Sequence, residues 1–283
     1  MRFADAHTHT NPIKGMGIER AGRKFLEVGG WFMAIVSLPP THYGFEPTFD
    51  GYVKSFEVVL KECALARRLG LRVSCLVGLH PADVEKRVSQ NYSHLNDVFT
   101  LIEKVMNYIE KLCRDGLVDG IGEVGRPHYK ALPEAFALNE YVTVRALEIA
   151  RDFDLVVHLH LEQGGIATIV SIDSLLRLTN AKKHRVVLHH VDAKTLQYAL
   201  KRGYPCTVPG KYPLLKIVFQ KFPPNYMIES DHIDDPSRPG VSSYPWEIVE
   251  NQRKLISEGI VSREYLDKVN IDNVTKVYLI EPP

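Results

Sequence analysis

The chain is predicted to be an α/β protein, a single-domain TIM-type (β/α)8 barrel over residues 1–283, and three observations predict it. Short β-rich apolar runs alternate with longer amphipathic runs from end to end, the pattern of a parallel sheet built from βαβ units. Eight such β-rich runs are present, the number that closes a parallel sheet into a barrel. The length of 283 residues suits one barrel, which needs roughly 250, and neither a linker nor an internal repeat interrupts it.

The strands are read, in order, at Phe3 to Thr8, Trp31 to Leu38, Arg72 to Leu79, Gly120 to Gly125, Leu155 to Leu161, Arg185 to Val191, Pro205 to Val208 and Tyr226 to Ser230. Between them, Tyr52 to Leu69 and Leu95 to Cys113 carry apolar residues at helical spacing, as in Val98, Ile102, Val105, Ile109 and Leu112. Further helices are read at Pro133 to Phe153, Ser171 to Lys182, Ala193 to Arg202, Leu214 to Phe222 and Trp246 to Glu258. The last are Arg263 to Val269 and Asn273 to Leu279. Gly70, Gly116 and Gly203 each follow a helical run and precede a strand, where a left-handed residue ends a helix at little cost. Two strand-to-helix loops are rich in turn residues: Pro39 to Gly44, and His232 to Tyr244 with Asp234-Asp235-Pro236 and Pro239-Gly240. In a βα barrel those loops build the active face.

An apolar content of 45% supplies a large core, and 24% charged residues with a net charge of +1 give a balanced surface. No global field advertises nucleic acid or a membrane, although a local basic rim or a bound metal can supply positive potential. Cys63, Cys75, Cys113 and Cys206 lack the short spacing of a zinc knuckle or redox motif and are read as reduced core thiols. A cleavable leader and a run of about 18 apolar residues are both missing, which predicts a cytoplasmic protein without a membrane span. No motif points to an obligatory protein partner.

The chemistry is concentrated at strand ends. In Asp5-Ala6-His7-Thr8-His9, alternate side chains project to one side, so His7 and His9 point together and can clasp one metal ion. The fourth strand carries Glu123, the fifth His158 and His160, the sixth His189 and His190, and the eighth ends at Asp231. Charged or imidazole groups inside apolar strands are costly unless paired or metal-bound, and here they recur on five strands. His160, nearer its strand end, is read as the ligand, with His158 deeper. His189 and His190 face opposite ways in a strand; His190 is preferred, because Asp192 looks like the N-cap of the next helix and leaves His190 at the rim. His158 and His189 remain the alternatives.

The order His7-x-His9, Gly78-Leu79-His80-Pro81, Gly122-Glu123-Val124-Gly125, His160, His190 and Ser230-Asp231 resembles the TatD-like metal-dependent hydrolases of the amidohydrolase superfamily. The resemblance covers nearly the whole chain. It looks closest to an archaeal TatD-related branch, to which Leu188-His189-His190 and Pro209-Gly210-Lys211 are similar. The opening is shared with the PHP phosphoesterases, but Gly-Glu-x-Gly with a terminal Ser-Asp favours TatD, and a PHP site would need a third metal with further ligands on the middle strands. The chain departs from TatD patterns at Leu161-Glu162-Gln163 and Val191-Asp192, positions that shape the substrate pocket.

The resemblance implies two divalent ions, His7, His9 and Asp231 at one, His160 and His190 at the other, and Glu123 bridging. Such a pair, about 3.5–4 Å apart, holds a hydroxide that attacks, with Asp231 as general base. The mixed ligand set accepts Zn, Mn, Mg, Ni or Fe. His80, Arg126 and Lys211 are candidates for holding a substrate phosphate. His42, Tyr43, His128 and His232 are candidates to line the pocket but are read first as ordinary loop residues, and His94 and His184 as peripheral. The leading function is a deoxyribonuclease cleaving phosphodiester bonds in DNA. The alternatives are an amidohydrolase acting on a small amide, lactone or phosphoester, toward which the neutral net charge leans, and a metal-stabilised barrel without turnover.

Overall fold

The computed structural model describes residues 1–237 and 243–282, so the turn expected at Pro239-Gly240 lies outside the described residues. Strands β1 (Phe3–Thr8), β2 (Gly30–Val36), β3 (Arg72–Val77), β4 (Gly120–Gly125), β5 (Val156–His160) and β6 (Val186–His189) pair in parallel in sequence order, and β7 (Thr207–Pro209) pairs with β8 (Met227–Glu229). The two pieces join at both edges. Leu188 N donates to Pro205 O at 2.9 Å and Val191 N to Thr207 O at 3.1 Å beside β6. Asp231 N donates to His7 O at 3.0 Å and His9 N to His232 O at 2.9 Å, which ties β8 to β1. Through these bonds the sheet closes on itself among the described residues, the (β/α)8 barrel that the alternation predicts.

The helices are α1 (Gly17–Glu27), α2 (Pro40–Tyr43), α3 (Phe49–Arg68), α4 (Pro81–Gln90), α5 (Leu95–Arg114), α6 (Pro133–Phe153), α7 (Ile166–Thr179), α8 (Ala193–Lys201), α9 (Tyr212–Lys221), α10 (Pro245–Ser257), α11 (Arg263–Asp267) and α12 (Asn273–Tyr278). The stripe expected on α5 is buried: Val98, Ile102, Val105, Ile109 and Leu112 are at most 5% exposed, each contributing roughly 1.5–3 kcal/mol of burial. Asp192 caps α8 as expected, accepting from Thr195 N at 2.7 Å.

Three helices lie outside the sequence expectation. Gly17 and Gly22 weaken the intrinsic helicity of α1, but its Ile18, Ala21, Gly22 and Phe25 bury one stripe, so packing overrides propensity. Gly22 lets the helix approach closely, since a Cβ there would stand 3.1 Å from Leu71 Cδ1. The short α2 and the longer α4 both begin at a proline, which is pre-organised for the first helical position. Helix α7 starts at Ile166 rather than Ser171 and ends at Thr179 rather than Lys182, because Asn180 turns left-handed at φ 56°.

Two β-bulges aim the site. In β1 the register shifts between Asp5 and Thr8, and in β4 between Ile121 and Val124. Ala4 and Ala6 belong to the inner barrel cluster, and the extra residue turns His7 and His9 inward above them. Beside β4, Gly122 already faces His158 Cβ, and the bulge brings Glu123 to the same interior. Helix α12 closes the opposite end of the barrel, packing Val274, Val277 and Tyr278 on Ala6, Phe32, Ala34 and Val187. All four cysteines are buried and free. Among the described residues, no helix is long and apolar enough to cross a membrane.

Candidate metal centre

At the C-terminal mouth of the barrel the side chains of His7, His9, His80, Glu123, His160, His189, His190 and Asp231 converge, in groups whose ligand atoms lie within 4.8 Å of one another. Glu123 is the hub. Its Oε1 faces His7 Nε2 at 3.7 Å, His9 Nε2 at 3.4 Å and His80 Nε2 at 3.6 Å, while Oε2 faces His160 Nδ1 at 2.8 Å and His189 Nε2 at 3.3 Å. Asp231 Oδ1 lies 3.8 Å from His9 Nε2 and 4.0 Å from His189 Nε2. Several of these separations are too long for a hydrogen bond. They suit two donors each roughly 2.0–2.2 Å from one cation. His7 Nε2 is buried, has no hydrogen-bond partner and points at this centre, so the residues present fit a divalent ion.

The electrostatics follow from crowding. Burial, reinforced by the neighbouring His189, pushes His7 down to about 4, and burial pushes His80 down to about 3. Burial disfavours charge on Glu123 too, but the imidazoles around it outweigh that and hold its carboxyl well below the usual range.

Three of the inward imidazoles, His7, His9 and His189, are oriented from behind. His9 Nδ1 sits 3.0 Å from Val36 O. His7 Nδ1 sits 2.9 Å from Nδ1 of the fully buried His158. His189 Nδ1 sits 2.7 Å from Glu229 Oε2, a fully buried carboxylate that the sequence analysis does not single out. The signal was available: Glu229 shares the inner face of its strand with Asp231, and a buried carboxylate needs a partner.

The geometry also redistributes the sixth strand. The β5–β6 register sets His160 beside His189, so His189 points inward at 2% exposure, and the preference for His190 over His189 does not hold on burial. His190 nevertheless reaches the same mouth, because at φ 59° it leaves the strand in the left-handed region, a turn that alternation does not foresee. Its Nδ1 lies 3.1 Å from Asp231 Oδ2 and 3.5 Å from Glu229 Oε1. Burial opposes charge on His190, but these two carboxylates raise it to about 9.

Above the centre is a cavity of about 450 Å³, lined among others by Leu38, Pro39, His42, Lys86, His128 and Tyr129. His80 both caps α4, its Nδ1 accepting from Ala82 N at 3.0 Å, and turns Nε2 toward Glu123. His128, read as a loop residue, stacks on His160 and places Nδ1 2.6 Å from its Nε2. Two substrate candidates fall elsewhere. Arg126 is held by Glu162 through two hydrogen bonds of 2.9 Å and by Ser171 at 2.7 Å, and Lys211 is an exposed residue at the start of α9; neither lines the cavity. Among the described residues, Lys86 is the one lysine or arginine lining it.

Comparisons with known proteins come down on the same architecture. The family described as TatD related DNase matches residues 4–279. An uncharacterized protein of Methanocaldococcus jannaschii is 24% identical over 277 residues, 97% of this chain and 94% of that protein. A TatD-like protein from Archaeoglobus fulgidus superposes with a TM-score of 0.67 at 17% identity, covering 98% of this chain and all of that one. A phosphotriesterase homology protein from Escherichia coli, complexed with phosphate in its active site, gives 0.67 at 13% identity over 98% of both chains.

Proposed function

Since this chain belongs to the TatD-related DNase family of hydrolases, we propose that it is a divalent-metal-dependent deoxyribonuclease, cleaving phosphodiester bonds at the barrel mouth. The observation that carries the reading is Glu123, buried with its two oxygens facing different sets of imidazoles, a position from which it would hold divalent metal. His7, His9 and Asp231 would hold one ion, and His160 with His189, which both face Glu123 Oε2, would hold the other; His189 takes this role in place of His190 because it is buried and aimed by Glu229. When bound, divalent ions acidify water and neutralise charge growing on a phosphoryl group.

The chain's own residues supply the rest. Asp231, 22% exposed at the cavity floor, accepts the proton of the attacking water on its carboxylate. His190, whose ring Asp231 and Glu229 hold charged, lies with Nδ1 3.1 Å from Asp231 Oδ2 and is 42% exposed; it gives a proton to the departing oxygen and is then reprotonated from Asp231. His80 and His128 bracket His160 on the open side and define where a phosphate enters.

A second reading, hydrolysis of a small phosphoester, lactone or amide, is favoured by the cavity lining, in which Lys86 stands among prolines, histidines, apolar residues and the carboxylates Asp83, Glu123 and Asp231, with Arg126 tied to Glu162. One experiment separates the two: hydrolysis of end-labelled single-stranded DNA by wild type and Asp231→Asn, with and without manganese or magnesium. Metal-dependent cleavage lost in the variant supports the nuclease. A fully metallated wild type that leaves DNA intact sinks it and sends the search to small esters and amides.

A further inference from the structure

Behind His7 runs a buried chain of polar groups that ends on the last helix. His7 Nδ1 contacts His158 Nδ1 at 2.9 Å, His158 Nε2 contacts the Tyr278 hydroxyl at 2.8 Å, and that hydroxyl donates to Ala6 O at 3.0 Å. His7 and His158 are wholly buried and Tyr278 is 9% exposed. The proton positions follow from valence. A carbonyl oxygen only accepts, so the single hydroxyl proton of Tyr278 goes to Ala6 O, and the Tyr278 oxygen must accept from His158 Nε2–H. The hydrogen-bond partners of His158 are His7 and Tyr278, neither of them a carboxylate, so its ring is neutral and its Nδ1 is left as a bare acceptor. His7 must then donate from Nδ1–H, which leaves Nε2 with a free lone pair. That is the buried Nε2 facing Glu123 without a hydrogen-bond partner.

We propose that Tyr278, acting through His158, fixes His7 as the Nδ1–H tautomer and so presents its Nε2 lone pair to a divalent cation. Tyr278 and His158 are positioning residues, and the inference rests on the metal-site reading above. A neutral imidazole chooses its tautomer by the bond its other nitrogen makes. Deleting the Tyr278 oxygen removes the acceptor for His158 Nε2–H. His158 then gains by moving its proton to Nδ1 and donating to His7, which forces the proton of His7 onto Nε2, the nitrogen a metal needs bare. The closing helix of the barrel is thereby linked to the chemistry at its opposite end.

The test uses full-length wild type, Tyr278→Phe and the double variant Tyr278→Phe/His158→Asn, with zinc ion as the probe. The Asn oxygen stands near the place of Nδ1 and accepts without a tautomer to choose. Competition with a chelating dye should give a zinc affinity roughly 10–100-fold weaker in Tyr278→Phe, with most of the loss recovered in the double variant. Nitrogen-15 spectra of histidine-labelled protein should show His7 protonated at Nδ1 and His158 at Nε2 in wild type, and the reverse in metal-free Tyr278→Phe. Equal zinc affinity in wild type and Tyr278→Phe, or a wild-type His158 protonated at Nδ1, overturns the relay whatever the variants' folding. A wild type that takes up no zinc overturns the metal-site reading itself, an outcome distinct from both.

Discussion

Replacing Glu229 by Gln isolates what a buried carboxylate does for the ligand it orients. Glu229 Oε2 lies 2.7 Å from His189 Nδ1, and the side chain is fully buried, so the substitution preserves shape and exchanges a charged acceptor for a neutral one. A hydrogen bond to a charged group is worth about 1.5–3 kcal/mol against about 0.5–1.5 kcal/mol for a neutral pair, so His189 should lose on the order of 1–1.5 kcal/mol of ligand strength. At about 1.4 kcal/mol per decade this is a fivefold to tenfold weaker metal site. Protons compete for the same nitrogen, and here the sign reverses. Burial lowers the pKa of His189, but Glu229 and Glu123 outweigh it and hold the ring well above the ordinary range, so wild type pays a proton penalty at low pH that Glu229→Gln partly escapes. The loss should therefore be largest at pH 9 and shrink toward pH 6. Calorimetric titration with zinc or manganese across that range reads it. An affinity unchanged at pH 9, or a gap that widens as pH falls, refutes the role given to Glu229.

Three further outcomes follow from the geometry. Asp234 accepts from the backbone N–H groups of Asn11 at 3.0 Å, Met16 at 2.9 Å and Gly17 at 2.8 Å, which pin the β1–α1 loop to the site. Burial raises its pKa, but the His232 contact and these bonds outweigh it and leave the carboxyl below its ordinary value; its contribution is thus present above about pH 4 and lost as pH falls through the folded pKa. Asp234→Asn should lose about 1–2 kcal/mol at pH 7 and lose less further stability between pH 4 and pH 2 than wild type, read by urea unfolding. Gly125 has φ 140° and a Cβ there would collide with His160 O, so Gly125→Ala should lower thermal stability by more than about 2 kcal/mol and weaken metal binding with it. Lys86→Ala should raise KM for an anionic substrate with kcat nearly unchanged, whereas Arg126→Ala, which breaks the Glu162 pair, should shift the melting temperature and leave KM alone; the opposite pattern would return Arg126 to the substrate.

What could be read from the residues was what is encoded within a few positions. Alternation of strand and helix periods, the left-handed glycines at 70, 116 and 203, the Asp192 cap, and the pairing of His7 with His9 on one face all depend on local sterics and spacing, and the structure keeps them. Strand ends rich in His and carboxylate predict one common address for these side chains, because such groups have no inexpensive alternative inside apolar strands. Where the reading failed, the deciding contact was long-range. The choice between His189 and His190 turned on a left-handed residue and on the register with β5; Arg126 was withdrawn from the cavity by Glu162, 36 positions away.

The orienting groups were beyond local inference for the same reason. His158 meets Tyr278 across 120 residues, and His189 meets Glu229 across 40. By itself the sequence determined the barrel and the address of the site, because periodicity and desolvation act on each segment separately. Only the tertiary structure decided which imidazole nitrogen faces the centre, since a tautomer is set by the atom behind the ring, and closure of the barrel is what brings that atom there.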